Sequence, residues 1–328
     1  MQIDIHRRTF IAAPALLAAL GIFANAASAQ GSDKPLRVVL PVSAGSGVDT
    51  IMRAAAPSLT KALNGQPVVI ENLPGAGGIT GASVIARAAP DGHTVGVVSN
   101  NHVVNPSVFK KLPFDTLNDF TPISVIGATP FVLVVNPKVS ARNAKELQAL
   151  LKAKPDGYNY ASSGNGTIIH LAGAMFMDAA RVEARHIPYK GTGPMVADLI
   201  GGQVEIGVVA LPAVQGQIKA GQLRAIGIMG TSRVPSMPDL PTIAEQGFPT
   251  VDVAGWFAVI GPAKLPAAEV KRLHAAVVSA FATPETREAM AKQENFINPM
   301  TPEASLAFFK TEQERYARLV KQASISAE

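Results

Sequence analysis

The chain has 328 residues, a formal net charge of +5 and no cysteine. Without cysteine it can form neither a disulfide nor a thiolate metal site, so its stability must come from a core of ordinary size, which this length can bury. Lysines and arginines are scattered and there is one tryptophan. With neither a basic stripe nor an aromatic platform, the sequence argues against nucleic-acid binding, while the mild positive excess favours collection of small anions.

The first 29 residues predict an export signal. Arg7 and Arg8 precede an apolar run at 10–23, and the Ala-Ser-Ala sequence at 27–29 has the small-x-small form that signal peptidase cleaves. We therefore expect cleavage after Ala29 and a periplasmic mature chain. The paired arginines leave both twin-arginine and general secretory export open.

Short apolar strands alternate with helical segments through residues 37–229, which predicts parallel sheets with helices on both faces. Two longer extended segments, 120–137 and 254–262, are expected to cross between two halves. The fold class is therefore α/β, with two doubly wound lobes joined by two crossing strands and facing each other across a ligand cleft. Lobe 1 is predicted to combine residues 30–127 with 256–328, and lobe 2 to contain residues 128–255.

The strongest functional signal is the turn after the short strand at 158–161. Residues 162–166, Ser-Ser-Gly-Asn-Gly, cannot continue a strand, and apolar residues return at helical spacing from Thr167. A helix start leaves about four backbone N–H groups without partners and carries positive dipole charge, so it can hold an anion. Donors that can assist are Ser162, Ser163, Asn165 and Thr167. The alternative is that Asn165 or Thr167 merely caps the helix.

Two further glycine-bearing turns follow strands, at residues 42–49 and 189–194. The first of these turns has neither the third glycine of a dinucleotide fingerprint nor the Gly-Lys-Ser/Thr ending of a phosphate loop. A polar cluster at 99–102 ends another apolar strand, where an open sheet presents ligand-binding groups. These turns are expected to face one cleft.

The ordered motifs resemble one family, the Bug-type extracytoplasmic solute receptors, which are periplasmic binding proteins associated with tripartite tricarboxylate transporters. The resemblance is carried by PVSAGSGVD, VIENLPGAGGITG, YASSGNGTIIHLAG, IPYKGTGP, LIGGQVE and MPDLPTIAEQG, which follow one another along nearly all of the mature chain. It implies a two-lobed, type II-like periplasmic receptor that closes on a small carboxylate, acts as a monomer, needs no cofactor and delivers its ligand to membrane transporter subunits. The ligand residues it implies are Ala44, Gly45, Ser46, Gly47, Asn100, His102, Ser162, Ser163, Gly164, Asn165, Gly166, Thr167, Tyr189, Lys190 and Gly191.

His170 lies one helical turn after the start of its helix and is a further ligand candidate, although a lone histidine is more often structural. The competing class is an exported hydrolase that uses Ser162 or Ser163 with His170. Neither serine has the G-x-S-x-G setting of a nucleophile, and no H-E-x-x-H motif is present, so we expect neither catalysis nor a metal site.

The segment Val208, Val209 and Ala210 follows Glu205 without an acidic or polar group that could hold a ligand ammonium. We expect this segment to form an apolar wall of the cleft, with Trp256 either packing in the core or shielding the cleft. Apolar walls between anion-binding turns favour a dicarboxylate with an apolar middle, either aliphatic or of the phthalate or terephthalate type, over an amino acid.

Overall fold

A computed structural model describes residues 34–323 and 325. The predicted export signal, its cleavage site and its route lie outside these residues. In the described part the strands are β1 Leu36–Leu40, β2 Val68–Asn72, β3 Thr94–Ser99, β4 Phe120–Thr129, β5 Phe131–Val135, β6 Asn159–Ser162, β7 Arg185–Pro188, β8 Ile206–Ala210, β9 Arg224–Ile228, β10 Gly255–Pro262 and β11 Phe296–Ile297. The helices are α1 Gly47–Ala62, α2 Ile79–Ala86, α3 Asn101–Val108, α4 Ala144–Ala153, α5 Ile168–Ala180, α6 Thr192–Gly201, α7 Leu211–Lys219, α8 Ala267–Ala282, α9 Pro284–Lys292 and α10 Pro302–Gln322, and a short 3-10 turn covers Ala76–Gly78.

The strands form two sheets. The six-stranded sheet, in the order β11-β4-β10-β3-β1-β2, belongs to lobe 1, and the five-stranded sheet, in the order β7-β6-β8-β5-β9, belongs to lobe 2. Every residue of β5 and of β10 is buried, which requires cover on both faces of each sheet. The fold is therefore α/β with two lobes, and the division of the lobes at 127/128 and 255/256 stays a prediction.

Both sheets are mixed and not wholly parallel. Strands β1, β2 and β3 pair in parallel, as do β6, β7 and β8, but β10 runs antiparallel to both β3 and β4. In lobe 2, β5 is antiparallel to β8 and to β9. The reason is that the chain leaves lobe 1 along β4 and returns along β10, so the returning strand must oppose the outgoing one.

The outward crossing is divided at Pro130. Strand β4 ends at Thr129 in one sheet, and β5 begins at Phe131 in the other. A proline has no backbone N–H to give to a ladder, so one continuous strand is not formed. Gly255 begins the return opposite Thr129, and a Cβ there would come within 2.5 Å of the Thr129 methyl carbon. Only glycine lets the crossing strands approach so closely.

The tail helix α10 packs against α3 and β4 of lobe 1. Nε1 of Trp256 donates to Glu312 on this helix at 3.1 Å, and the indole stacks on Phe309. Trp256 therefore holds the tail helix beside the second crossing strand.

Candidate functional site

A cavity of about 560 Å³ lies between the two lobes. Four turns line it: residues 41–43 and 74–78 from lobe 1, and residues 163–165 with Thr167 and residues 188–192 from lobe 2. A narrower chamber of about 60 Å³ adjoins it beside the crossing strands. A cleft of this size between two domains is the usual place for a small-molecule site.

The cavity is lined by Pro41, Val42, Ser43, Pro74, Gly75, Ala76, Gly77, Gly78, Asn101, Phe109, Ser163, Gly164, Asn165, Thr167, Pro188, Tyr189, Lys190, Gly191 and Thr192. The chamber is lined by Val42, Ser46, Gly47, Val48, Ser99, Asn100, Asn101, Thr129, Phe131, Ser163, Ile168, Ile169, Thr192, Ala210, Gly255 and Trp256. Four residues, Val42, Asn101, Ser163 and Thr192, are common to both, so the two spaces are neighbours.

The serine-rich turn of lobe 2 combines a helix cap with a cavity wall. The Thr167 hydroxyl accepts a hydrogen bond from the His170 amide at 3.3 Å and donates one to the Gly164 carbonyl at 2.8 Å. Thr167 is thus the N-cap of α5, and it also lines the cavity. Gly164 has φ 142°, a conformation that favours glycine. The start of a 13-residue helix therefore opens on the cavity with its positive dipole end.

Three other predicted ligand residues, Ser162, Gly166 and His170, lie behind this turn and line neither the cavity nor the chamber. Ser162 has no exposed surface, and its Oγ lies 2.7 Å from Nε2 of His186. Gly166 is buried against Val108, and its amide donates to Nδ1 of His170 at 3.0 Å. The reason is that β6 ends within the sheet at Ser162, while a helical side chain leans back towards the preceding turn.

The serine and histidine pairing of the hydrolase alternative is wrong. Nδ1 of His170 accepts a backbone amide, and the Ser163 hydroxyl is directed to another hydroxyl of the turn. Ser162 meets His186 instead, but its side chain is enclosed. In the described part of the chain no carboxylate is hydrogen-bonded to either imidazole, so neither has the orienting acid of a triad.

The first turn of lobe 1 is held by a buried carboxylate. Ser46 caps α1 by accepting from the Asp49 amide at 3.2 Å, and Asp49 Oδ2 accepts the Gly45 amide at 2.9 Å. Arg53 and Asn72 both donate to Oδ1 of Asp49. Burial alone would raise the pKa of Asp49, but these hydrogen bonds outweigh it and the pKa is lowered. Asp49 is thus ionised and shapes the turn.

Two of the predicted ligand residues in this turn are misplaced. Ala44 and Gly45 are exposed and line neither space, because the turn bends them outward while Asp49 ties the Gly45 amide back to the helix. The residues of this turn that do line the two spaces are Val42, Ser43, Ser46 and Gly47.

The glycine-rich turn at 74–78 was not predicted as part of the site. Gly75, Ala76, Gly77 and Gly78 have φ values of 127°, 45°, 63° and 93°, so four successive residues have positive φ. A turn built mainly of glycine lets a ligand approach its backbone closely, and backbone N–H groups in turns can bind an anion. The signal was present as Pro-Gly-Ala-Gly-Gly in a motif of the resemblance. What was missing was any side chain that could mark it as a ligand turn.

The polar cluster at 99–102 contributes a different residue from the two predicted. Oδ1 of Asn101 accepts the Ile168 amide across the cleft at 2.7 Å. The Asn100 side chain lies at the wall of the chamber, but its amide already makes three internal hydrogen bonds, to Ala254, Tyr316 and Trp256.

His102 was predicted to contact the ligand, but it is buried in lobe 1 and lines neither the cavity nor the chamber. Its ring packs edge-on against Phe120 at 4.7 Å, and its Nε2 lies 2.9 Å from the Thr116 carbonyl. Because successive residues of a helix point about 100° apart, a polar cluster at the start of α3 sends one side chain to the cleft and the next to the core. Periodicity alone did not reveal this helix.

The turn at 188–192 follows β7 and leads into α6. Tyr189, Lys190 and Gly191 all line the cavity, and the Tyr189 hydroxyl donates to Asp198 at 2.8 Å. Burial and then this hydrogen bond raise the pKa of Tyr189 to about 12. The Gly191 amide donates to the Ser163 carbonyl at 3.1 Å, which joins the two lobe 2 turns. Their relative position is therefore fixed within one lobe.

The turns of the two lobes touch one another. The Gly193 amide donates to Ser43 Oγ at 3.3 Å, and a Cβ added to Gly47 would lie 2.8 Å from the Ala210 Cβ. Together with the bond from Ile168 to Asn101, these contacts join residues of both lobes around the cavity. The structure is therefore in a closed arrangement.

The apolar wall that was predicted from 208–210 is mostly absent. Val208 and Val209 are buried in β8 with 1% and 0% exposure, and neither lines the cavity or the chamber. Strand β8 lies between β6 and β5 and is covered on both faces, so successive side chains both enter the core. Ala210, at the end of the strand, is the residue that reaches the chamber.

The lining combines polar and apolar residues and is almost without charge. Lys190 is the one charged residue among those that line the cavity and the chamber in the described part of the chain. Residues 34–323 and 325 contain no cluster of three or more histidine, cysteine or acidic side chains arranged for a metal ion. Nor does that part of the chain contain a helix with the length and apolarity required to span a membrane. A cleft with amide and hydroxyl donors, one lysine and no acid suits an anion.

Comparison with known proteins gives the same picture. Residues 51–325 match the model of the tripartite tricarboxylate transporter family receptor, TctC. The protein BugT of Bordetella pertussis is 34% identical over 316 residues, which cover 94% of this chain and 97% of BugT.

Three solved structures resemble the fold closely. The periplasmic binding protein BugD is 32% identical with a TM-score of 0.86, and the match covers 90% of this chain and 99% of BugD. Rpa4515 of R. palustris, solved with adipate, is 29% identical with a TM-score of 0.86 over 89% of this chain and 98% of its own. MatC of Rhodopseudomonas palustris, solved with bound malate, is 28% identical with a TM-score of 0.82 over 87% of this chain and 98% of its own.

A receptor-family match over most of the chain, a two-lobed fold shared with BugD and a closed, donor-lined cleft between the lobes agree with one another. The chain belongs to the tripartite tricarboxylate transporter receptor family and is a Bug-type solute-binding protein.

Proposed function

We propose that the protein captures a small dicarboxylate in the cleft between its lobes, in the periplasm, and presents it to a tripartite tricarboxylate-type transporter. It acts as a monomer and binds one ligand per chain. The observation that carries this proposal is the cavity of about 560 Å³ whose lining combines a helix start, three further turns and Lys190 without any acidic side chain.

One carboxylate is placed at the serine-rich turn. The start of α5 supplies the positive end of a helix dipole, and Ser163 adds a hydroxyl whose present bond to Thr167 Oγ1 is long, at 3.3 Å. The second carboxylate is placed at the 74–78 turn and Lys190, which lie in the same cavity. This arrangement uses donors from both lobes, so the ligand stabilises the closed form through contacts that exist only there.

The middle of the ligand is expected to be apolar. Pro41, Val42, Pro74 and Phe109 give the cavity apolar surface, in place of the wall that was predicted from Val208 and Val209. A ligand ammonium would have no carboxylate partner among the lining residues. An aliphatic diacid, or an aromatic one of the phthalate or terephthalate type, therefore fits better than an acidic amino acid. The relatives solved with adipate and with malate support a carboxylate ligand.

A thermal-shift screen of the mature protein against mono-, di- and tricarboxylates, acidic amino acids and aromatic acids tests the proposal. A micromolar dissociation constant corresponds to about 8 kcal/mol, and ligand at about 100 times that constant adds roughly 2.7 kcal/mol to the free energy of unfolding. We expect diacids to raise the midpoint by several degrees. Turnover of esters or amides, with no shift by any acid, would favour an exported hydrolase instead.

A further inference from the structure

Two stacked histidines lie directly behind the serine-rich turn. The ring centroids of His170 on α5 and His186 on β7 are 3.8 Å apart, and their planes differ by 7°. Tyr160 on β6 lies beside both rings, with its ring centroid 4.9 Å from that of His186 and 6.2 Å from that of His170. The stack lines neither the cavity nor the chamber. The two histidines therefore do not touch a ligand in these spaces. Any effect of theirs on binding passes through the serine-rich turn.

Each imidazole holds one part of the turn. Nδ1 of His170 accepts the Gly166 amide at 3.0 Å, and Nε2 of His186 lies 2.7 Å from Ser162 Oγ. Ser162 Oγ in turn accepts the Gly164 amide at 3.1 Å. The two glycines of the turn, with φ values of 142° and 74°, are thus tied at their amides to this layer. The layer fixes the backbone whose other side forms the cavity wall.

The bond from Gly166 specifies the protonation state of His170. Nδ1 can accept an N–H only while it carries no proton itself, so His170 must be neutral with its proton on Nε2. A proton on Nδ1 would point at the Gly166 N–H and break the bond. A charge on His186 would also face the parallel ring of His170 at 3.8 Å. The observed geometry therefore requires a neutral His170.

We propose that His170 and His186 are positioning residues for ligand capture, which hold the serine-rich turn in its binding shape while His170 is neutral and release it when His170 is protonated. This inference rests on the proposed carboxylate function for its consequence in affinity. A cation placed behind the turn would by its field attract a carboxylate, so a fall in affinity on protonation reports the shape of the turn and not its charge.

The surroundings of the pair favour the neutral state at ordinary pH. Burial, and for His170 also the neighbouring His186, lowers the pKa of both imidazoles to about 4. Burial raises the pKa of Tyr160 to about 12, so this neighbour is neutral as well. On the adjoining elements Asp198 accepts from Tyr189 and Glu205 accepts from Asn159. In the described part of the chain no charged side chain is hydrogen-bonded to either imidazole.

Two matched variants test the role of His170. His170→Asn keeps an acceptor near the position of Nδ1 but cannot be protonated in this range, whereas His170→Leu fills similar volume without an acceptor. The first readout needs no ligand: the protection of the Gly166 amide against hydrogen exchange, measured by NMR. We expect His170→Asn to keep the wild-type protection at pH 7 and His170→Leu to lose about tenfold.

The second readout is affinity, with adipate and malate as probes. We expect His170→Leu to bind at least about tenfold more weakly than His170→Asn, although leucine suits an apolar core better. The wild type should lose Gly166 protection as the pH approaches 4, while His170→Asn should not. Equal protection in both variants, or equal affinity at pH 7, would overturn the proposed positioning role.

Failure of the proposed function gives a different result. If no carboxylate binds the wild type, the receptor proposal is wrong, and the Gly166 exchange data still decide whether the pair holds the turn. A role limited to filling the core predicts the reverse order of the variants, with His170→Leu the more stable and equal to the wild type in Gly166 protection.

Discussion

Ser163 and Thr167 are hydrogen-bonded to each other in the serine-rich turn but have different structural roles. The Ser163 hydroxyl makes one long bond within the turn, whereas the Thr167 hydroxyl both caps α5 and bonds Gly164. Side chains that line a site can therefore be separated into those that serve the ligand and those that also serve the fold.

We expect Ser163→Ala to weaken diacid binding by about 1.5 to 3 kcal/mol, because a hydrogen bond to a charged group is lost, with little change in stability. Thr167→Ala should weaken binding and also remove about 1 kcal/mol from the free energy of unfolding, because the cap is lost. Calorimetry and urea unfolding of the two variants check this. Equal losses of stability in both would show that Ser163 is also a structural residue.

At the scale of elements, Asn101 at the start of α3 reaches the start of α5 in the other lobe. This bond occupies the first amide of the helix whose N-terminus opens on the cavity. Because this hydrogen bond forms only while the two lobes are in contact, it stabilises the closed form of the protein.

Asn101→Leu should remove this interlobe hydrogen bond while keeping a side chain of similar volume. We expect the unliganded protein to open, seen as a larger radius of gyration by X-ray scattering, and the diacid affinity to fall about tenfold because one interlobe hydrogen bond is lost. Asn100→Leu is no suitable control, because that side chain holds the tail helix. A radius and an affinity equal to those of the wild type would show that Asn101 contributes nothing to closure.

Most elements were predictable from periodicity and breakers. The three glycine-bearing turns lie where strands give way to helices. Helix α3 was not predicted, because it opens with polar residues and contains Pro106. Nor could the pattern show which neighbours face the cleft, since one step along a helix separates Asn101 from His102. Val208 and Val209 were misjudged because a strand covered on both faces gives no alternation to read.

At the scale of the whole molecule, three histidines with a lowered pKa make stability depend on pH. The pKa of His102, of His170 and of His186 is lowered to about 4, against an ordinary value of 6.5. Between those values the unfolded chain binds more protons than the folded one, so stability falls as the pH falls. The lowered pKa of Asp49 adds a further loss, which begins only near its ordinary value of 3.8.

We therefore expect the free energy of unfolding to be constant above pH 7 and to drop by about 3 kcal/mol or more between pH 7 and pH 5, since each histidine contributes up to about 1.4 kcal/mol per pH unit. Urea unfolding at a series of pH values measures this. His102→Gln should reduce the slope. A stability that stays flat down to pH 5 would mean that these imidazoles are not held neutral.

The central claim is that a ligand bridges the lobes with two carboxylates and an apolar middle. Calorimetry with adipate, hexanoate and 2-aminoadipate, and in parallel with terephthalate and benzoate, tests it most directly, because the members of each set differ in one group. We predict one-to-one binding in which a diacid exceeds its monoacid by tenfold or more, since a charged hydrogen-bonded group contributes about 1.5 to 3 kcal/mol, and exceeds the amino acid as well. Tightest binding by 2-aminoadipate, or monoacids that bind as tightly as their diacids, would contradict it.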